Sequence, residues 1–356
     1  MATISTQDAR AVFTQALISV YKERTAPTAF LRSFFVNKEV NTLQLRIEVQ
    51  RGTEKIAVDV ERGTEGNRNQ FSKSSEKIFI PPYYKEYFDA TDLDFYDRLF
   101  TSTGTVDLIT FNQWVDTVVE KLGMLQDKIE RSYELQASQV LETGIVTLTN
   151  GDNIIYPRKA PSLVALAGPA LWDAGTSNPY TDMENSCNFA RTKGKVSGNI
   201  FNFIFGTAAF NAFLNNTVVK ERADIRRISL DAIRMPQKES FGGVLHGEVS
   251  VGSYVCRLWT YPEYYDTEAA ENIPYMNPKK YVCLPDNPKF VAGFAGVPQI
   301  MGKQPNIGAG VAAKRGAYLV EEVLDELNTA HIIRIKSAGL MIPVGIDQFS
   351  TTQVLA

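Results

Sequence analysis

The stretch LQLRIEVQRGTEKIAVDVERGTEGNRNQF, residues 43–71, decides how the chain is read. Leu43, Leu45, Ile47 and Val49 alternate with Gln44, Arg46, Glu48 and Gln50, the two-residue period of a strand with one buried face. Ile56, Val58 and Val60 resume the pattern after Arg51-Gly52-Thr53-Glu54-Lys55, which predicts a hairpin with a multi-residue loop. A two-stranded ribbon is marginal in water, so something must cover its apolar face. Residues 61–77, ERGTEGNRNQFSKSSEK, are too polar to do so, and the chain turns apolar again only at IFIPPYYKEYF, 78–88. The whole of 41–88 therefore goes out and returns without a helix. So long a protrusion from a compact domain is functional or disordered, and the clean alternation argues against disorder.

The flanks add an arm and a rod. Residues 5–24 read as a helix, with Ser5 and Asp8 in a capping-box variant and Val12, Phe13, Ala16, Leu17, Val20 and Tyr21 on one face. Pro27 stops it, and FLRSFF, 30–35, follows with three phenylalanines that must be buried in this subunit or in a neighbour. From Phe111 to Val140 apolar residues recur every three or four positions, through Trp114, Val118, Leu122, Ile129 and Tyr133, up to a natural C-cap at Gly144. A helix over 110–143 would be about 50 Å long, a structural spine. Beyond it come short strands in GIVTLTNG and NIIYP, a helix over 181–191, and a buried strand at 201–205 leading into a helix. A hairpin turning at Val251-Gly252-Ser253, a strand–turn–strand over 279–293 and strands at 331–335 and 340–344 follow. Periodicity leaves the start of AYLVEEVLDELNTA open between helix and strand.

Composition and motifs exclude more than they offer. The 356 residues carry 37 basic and 40 acidic groups, a net charge of −3, which is no electrostatic footprint for nucleic acid. Three widely spaced cysteines, Cys187, Cys256 and Cys283, fit neither a disulfide scaffold nor a zinc site and read as buried, reduced thiols. MATISTQDAR shows no signal peptide, and no apolar run is long enough to span a bilayer, so a soluble intracellular product is expected. GVPQIMGKQ, 296–304, misses phosphate-loop spacing by one residue and reads as a surface turn; GAG, 308–310, lacks the third glycine of a dinucleotide fingerprint. Asp89, Asp92, Asp94 and Asp97 have no calcium-loop spacing and read as a solvated, helix-initiating run. His246 and His331 have no ligand at metal spacing, and YPEYYD, 261–266, reads as turn packing around a proline. The expectation is a protein that is not an enzyme and binds no cofactor or metal.

Several segments, taken in order, resemble the major capsid protein E family of lambda-like tailed phages. FLRSFF, 30–35, follows a helix and a proline and is similar to the family's FLRxFF segment. The alternating hairpin, the ERGTEG tip and the return through FIPPYYKE are similar to its extended loop. ADIRR, 223–227, the strand SYVCRLWTYPEYY, LPDN at 284–287, and SAGL at 337–340 follow in sequence. Gly339 stands where the family usually has a proline. Each motif is short; their order and spacing span nearly the whole chain.

The resemblance implies an α+β protein with the Hong Kong 97 phage capsid fold. Residues 1–40 would be the N-terminal arm and 41–88 the extended β-hairpin, or E-loop. The spine-helix peripheral domain would take 89–198 plus 321–356, and the α/β axial domain 199–320. It also implies a strand at 317–323. The implied function is the major head protein of a tailed double-stranded DNA phage, self-assembling into hexamers and pentamers of an icosahedral shell that encloses the genome. Its implied partners are copies of itself, scaffolding and portal proteins, a decoration protein, and packaged DNA held without sequence recognition; its place is the virion, assembled in the host bacterial cytoplasm. A neighbouring subunit would cover the hairpin, with Arg46, Arg51, Glu54, Lys55, Glu61 and Arg62 as candidate contacts between subunits. The alternatives are an encapsulin-like cellular nanocompartment shell, a soluble enzyme with an unseen site, and a monomeric binding module.

Overall fold

The computed structural model describes residues 29–49, 75–91, 108–148, 152–225, 237–238, 242–301, 310–314, 316–325 and 330–356. The three-to-four-residue apolar spacing builds one unbroken helix, Leu108–Glu142, of 35 residues. It buries Val118, Leu122, Ile129, Tyr133, Ala137 and Val140 along one side. It ends at Gly144, which adopts a positive φ of 76° and donates its N–H to the carbonyls of Gln139 and Val140. The arm helix expected over 5–24 lies outside the described residues.

A seven-stranded mixed sheet divides the interior. Its strands run in the spatial order Leu163–Ala165, Ser350–Gln353, Lys280–Pro285, Ile200–Phe205, Tyr254–Thr260, Val244–Val251 and Gln237–Lys238. Ile200–Phe205 lies parallel to Tyr254–Thr260 and antiparallel to Lys280–Pro285. Successive side chains on a strand point to opposite faces, and here both faces are buried. Phe201, Phe203 and Phe205 join Cys256, Leu258, Tyr281 and Cys283 in one core, whereas Ile204 joins Val282, Leu284 and Trp259 in the other. That is why IFNFIF reads as nearly continuous apolar sequence. Asn202, buried within it, accepts a hydrogen bond from Trp259 Nε1 at 3.1 Å.

The aromatic core lies under three helices, Pro179–Thr192, Thr207–Asn215 and Thr217–Ile225, which contribute Met183, Cys187, Phe210, Phe213 and Val219. Trp172 stacks on Tyr281 there, with ring centroids 5.4 Å apart. The second core lies between the opposite face, the long helix and two three-stranded sheets. One sheet pairs Phe35–Glu39 in parallel with Phe290–Phe294, which runs antiparallel to Gly339–Pro343. The other centres on Ala330–Ser337, flanked antiparallel by Leu319–Asp325 and Tyr84–Thr91.

Several local expectations need correcting. The turn at Pro285–Pro288 joins two strands as expected, but they enter different sheets, because a turn fixes reversal and not partnership. Val297–Met301 is a strand paired with Gly310–Lys314, not a surface turn. Asp89 sits on the strand Tyr84–Thr91, not at a helix start; Asp92, Asp94 and Asp97 lie outside the described residues. The segment near 317–323 is a strand, Leu319–Asp325, as the resemblance implies, and Gly339 opens a strand of its own. A Cβ on Gly339 would lie 2.6 Å from Tyr133 Cζ, so the glycine admits a buried ring.

Candidate assembly surfaces

The excursion is rooted in the chain's own second core. Leu45–Val49 pairs antiparallel with Ser75–Phe79, placing Leu45 opposite Phe79 and Arg46 opposite Ile78. The expected partner strand, Ile56–Val60, lies outside the described residues. Leu45 is buried against Gly293, where an added Cβ would come within 2.8 Å of Leu45 Cδ1. The Phe79 ring meets Tyr156 at 5.4 Å, and Tyr156 Oη donates to the Met341 carbonyl at 3.0 Å. At its root, then, the ribbon's inner face is covered by this same chain. Arg46 and Ile78 face the other way and are exposed, and Ile80, two residues on, is 70% exposed. Val36 and Leu43 add apolar surface nearby in sequence. Exposed aliphatic side chains at this density suit burial in an assembly.

Of the six charged residues singled out in the hairpin, the structure places Arg46 alone, on the outward face of the ribbon. Arg51, Glu54, Lys55, Glu61 and Arg62 lie outside the described residues, so no grouping among the six is seen.

The most elaborate polar arrangement lies where FLRSFF meets the long helix, a site that sequence reasoning missed. Leu31 adopts a helical backbone ahead of the 3-10 turn Arg32–Phe34. The two consecutive N–H groups of Leu31 and Arg32 donate to Glu134 Oε1 at 2.8 Å and Oε2 at 3.0 Å. Glu134 is 2% exposed. Burial pushes its carboxyl up from 4.5 to about 7, although the two N–H groups, Tyr261 and the Arg32 charge all favour the ionised form. One helical turn earlier, Glu130 forms an ion pair with Arg32 and accepts a hydrogen bond from Tyr318 Oη. The Arg32 guanidinium also lies over Tyr133 at 5.6 Å and Phe294 at 5.9 Å. Phe30 is wedged between Trp259, at 5.2 Å, and Tyr261, at 5.5 Å. A Cβ on Gly243 would come within 2.5 Å of its ring. The signal was present: an arginine among phenylalanines needs a carboxylate, and Glu130 and Glu134 lie four apart beside the helix's apolar stripe.

A third feature is the outer face of the sheet around Ala330–Ser337. Glu321 Oε2 holds Arg334 at 2.7 Å and Lys336 at 2.6 Å. Burial pushes the Glu321 carboxyl up, but hydrogen bonds and charge from Lys336 and Arg334 outweigh it and hold it below its ordinary value. Tyr87, opposite Arg334 in the register, and Tyr83 are exposed there.

The cysteines, His246 and the YPEYYD run take structural places. All three cysteines are buried in the aromatic core. The Cys256 thiol donates to Cys187, and this bond together with burial pushes it up, away from the thiolate. His246 packs on Phe210 at 4.2 Å and bonds Thr260 Oγ1 at 2.7 Å. Tyr261 of the YPEYYD run is buried, and Tyr264–Tyr265 pairs with Ile273–Pro274. Among the described residues there is no metal-ligand cluster, and no helix is long and apolar enough to cross a membrane.

A long helix on a body of mixed sheets, with a two-stranded ribbon rooted beside it, matches the Hong Kong 97 phage capsid fold. A protein assigned as the capsid protein of an Escherichia coli CFT073 prophage superposes with a TM-score of 0.61 at 15% identity, covering 96% of this chain and 99% of that one. A phage-related protein from Bordetella bronchiseptica RB50 gives a TM-score of 0.53 at 11% identity over 95% of each chain. An encapsulin from Synechococcus elongatus PCC 7942 reaches a TM-score of only 0.41 at 10% identity over 95% of each chain, too slight a likeness to argue from. No curated protein sequence matches. The model of the phage major capsid protein E family matches residues 13–344, so the chain belongs to that family and is a structural protein of the phage capsid.

Proposed function

We propose that copies of this chain assemble into hexamers and pentamers of a closed icosahedral head that encloses double-stranded DNA. The observation that supports this most directly is the ribbon root: Leu45 and Phe79 fasten it to its own body while Arg46, Ile78 and Ile80 face outward. In this reading 41–88 is the E-loop, lying along a neighbouring subunit, and Arg46, Arg51, Glu54, Lys55, Glu61 and Arg62 contact that neighbour. Residues 1–40 form the arm, 89–198 with 321–356 the peripheral domain, and 199–320 the axial domain. The seven-stranded sheet takes strands from both of these segments. Scaffolding and portal proteins guide assembly in the bacterial cytoplasm, a decoration protein binds outside, and the chain performs no catalysis. Modest contacts repeated around a closed shell compound into a stable particle.

Deleting residues 50–75 tests the reading. The truncated subunit should fold, with wild-type-like circular dichroism and melting, yet sediment without shells, rings or tubes. Particles of wild-type size and yield from the deletion would reject the role given to the ribbon.

A further inference from the structure

We propose that Glu134 is the positioning residue for assembly at the root of the arm, fixing the direction in which the chain enters the body at Phe30–Arg32. The inference rests on the shell reading above and names the group that sets one of its contacts with a second copy. Three consecutive residues are keyed to two parts of the body, the strand end at Trp259–Tyr261 and the long helix. Phe30 is wedged against Trp259 and Tyr261, the N–H groups of Leu31 and Arg32 share one carboxylate, and the Arg32 side chain is clamped by Glu130. Both N–H groups can reach Glu134 only while Leu31 keeps its helical backbone, φ −67° and ψ −36°. Turning the chain to leave in another direction breaks both bonds together.

The choice of an acid here is poor for stability. Two N–H groups could be satisfied by a hydroxyl or a bound water, whereas a nearly fully buried carboxylate carries a desolvation cost. The groups facing it do not cancel that cost. Arg32 supplies one positive charge from the arm root but is shared with Glu130 on the same helix. From the segment 261–275, the buried Tyr261 hydroxyl faces Glu134 and favours its ionised form, with Tyr275 and Glu263 acting on Tyr261 in turn, and burial still outweighs them. Arg131 acts on Tyr275, and Tyr318 is engaged by Glu130. A carboxylate retained in such surroundings contributes direction, since its two oxygens accept from two adjacent N–H groups in one geometry only.

The test is Glu134→Gln in the full chain. The amide keeps the shape and removes the charge, but its NH2 cannot accept the second N–H. The expected result at pH 8 is a subunit that melts at or above the wild-type temperature yet loses particle yield by at least about tenfold, since a small misdirection repeats at every contact. Stability and assembly would then move in opposite directions, which a purely structural role does not produce. Wild-type chain that forms no particles under any condition overturns the shell reading itself. Particles from the variant in wild-type yield overturn the positioning role and leave the shell reading standing. Should the variant fail to fold, hydrogen exchange in the wild-type protein decides. Core-like protection at the Leu31 and Arg32 amides supports the role, and exchange at free-amide rates overturns it.

Discussion

The cost of burying Glu134 should be visible as a pH dependence that disappears with one substitution. The carboxyl titrates near 7 in the folded subunit and near 4.5 when exposed. Between those values the folded state holds a proton that the unfolded state has lost, so stability must fall as pH rises. The contribution is fully present below about 4.5 and gone above about 7; at 1.36 kcal/mol per pH unit the span is worth about 3 kcal/mol. Glu134→Gln does not titrate, and it exchanges the burial cost for one N–H without an acceptor, a loss of about 1–3 kcal/mol. The variant should therefore be less stable than wild type at pH 4.5, and equal or more stable at pH 8. The measurement is urea unfolding of unassembled subunits at half-unit steps from pH 4.5 to 8, followed by circular dichroism. Contributions from all other groups cancel when the two curves are subtracted. Parallel curves, with a difference that does not change across the range, would refute the reasoning.

Three further outcomes follow from the same cores. Phe30→Ala should destabilise the subunit by about 3–5 kcal/mol in urea unfolding, because the ring fills a gap between Trp259, Tyr261 and Gly243. Gly339→Ala pushes a methyl to within 2.6 Å of the buried Tyr133 ring and should cost about 1–3 kcal/mol, read as a lowered melting temperature. Glu321→Gln leaves the buried Lys336 without its partner and should cost about 3 kcal/mol at pH 7. Because the Glu321 carboxyl is held below its ordinary value, its stabilisation is present at neutral pH and lost as the medium is acidified through its folded pKa; wild type and variant should converge in acid unfolding.

What could be read from the sequence follows the range of the interactions. The long helix and the strand IFNFIF are written in spacings of two to four residues, so Leu108–Glu142 and Ile200–Phe205 fall within a residue or two of expectation. Partnership across the chain is not written locally. Nothing in LPDN says that Lys280–Pro285 and Phe290–Phe294 part company into separate sheets. Leu45–Val49 finds a described partner in the returning strand Ser75–Phe79, beyond the nearer candidate at 56–60. The arm-root site is the extreme case. Its hydrogen bonds join residues 102 and 103 positions apart, so the Glu130–Glu134 spacing can hint at a carboxylate beside the core but not at which backbone N–H groups it meets. Of the hairpin charges, Arg46 alone falls among the described residues. The family was legible for a different reason, the order of many short motifs along the chain.

The doubly buried strand Ile200–Phe205 limits how the subunit can change shape. A slip of one residue would swing Phe201, Phe203 and Phe205 out of the aromatic core and into the space beside the long helix. The same slip would strip Asn202 of its indole donor. No gradual sliding connects the two arrangements, so the middle of each subunit behaves as a rigid plate. Any change of shape in the subunit would have to be taken up at the margins of that plate.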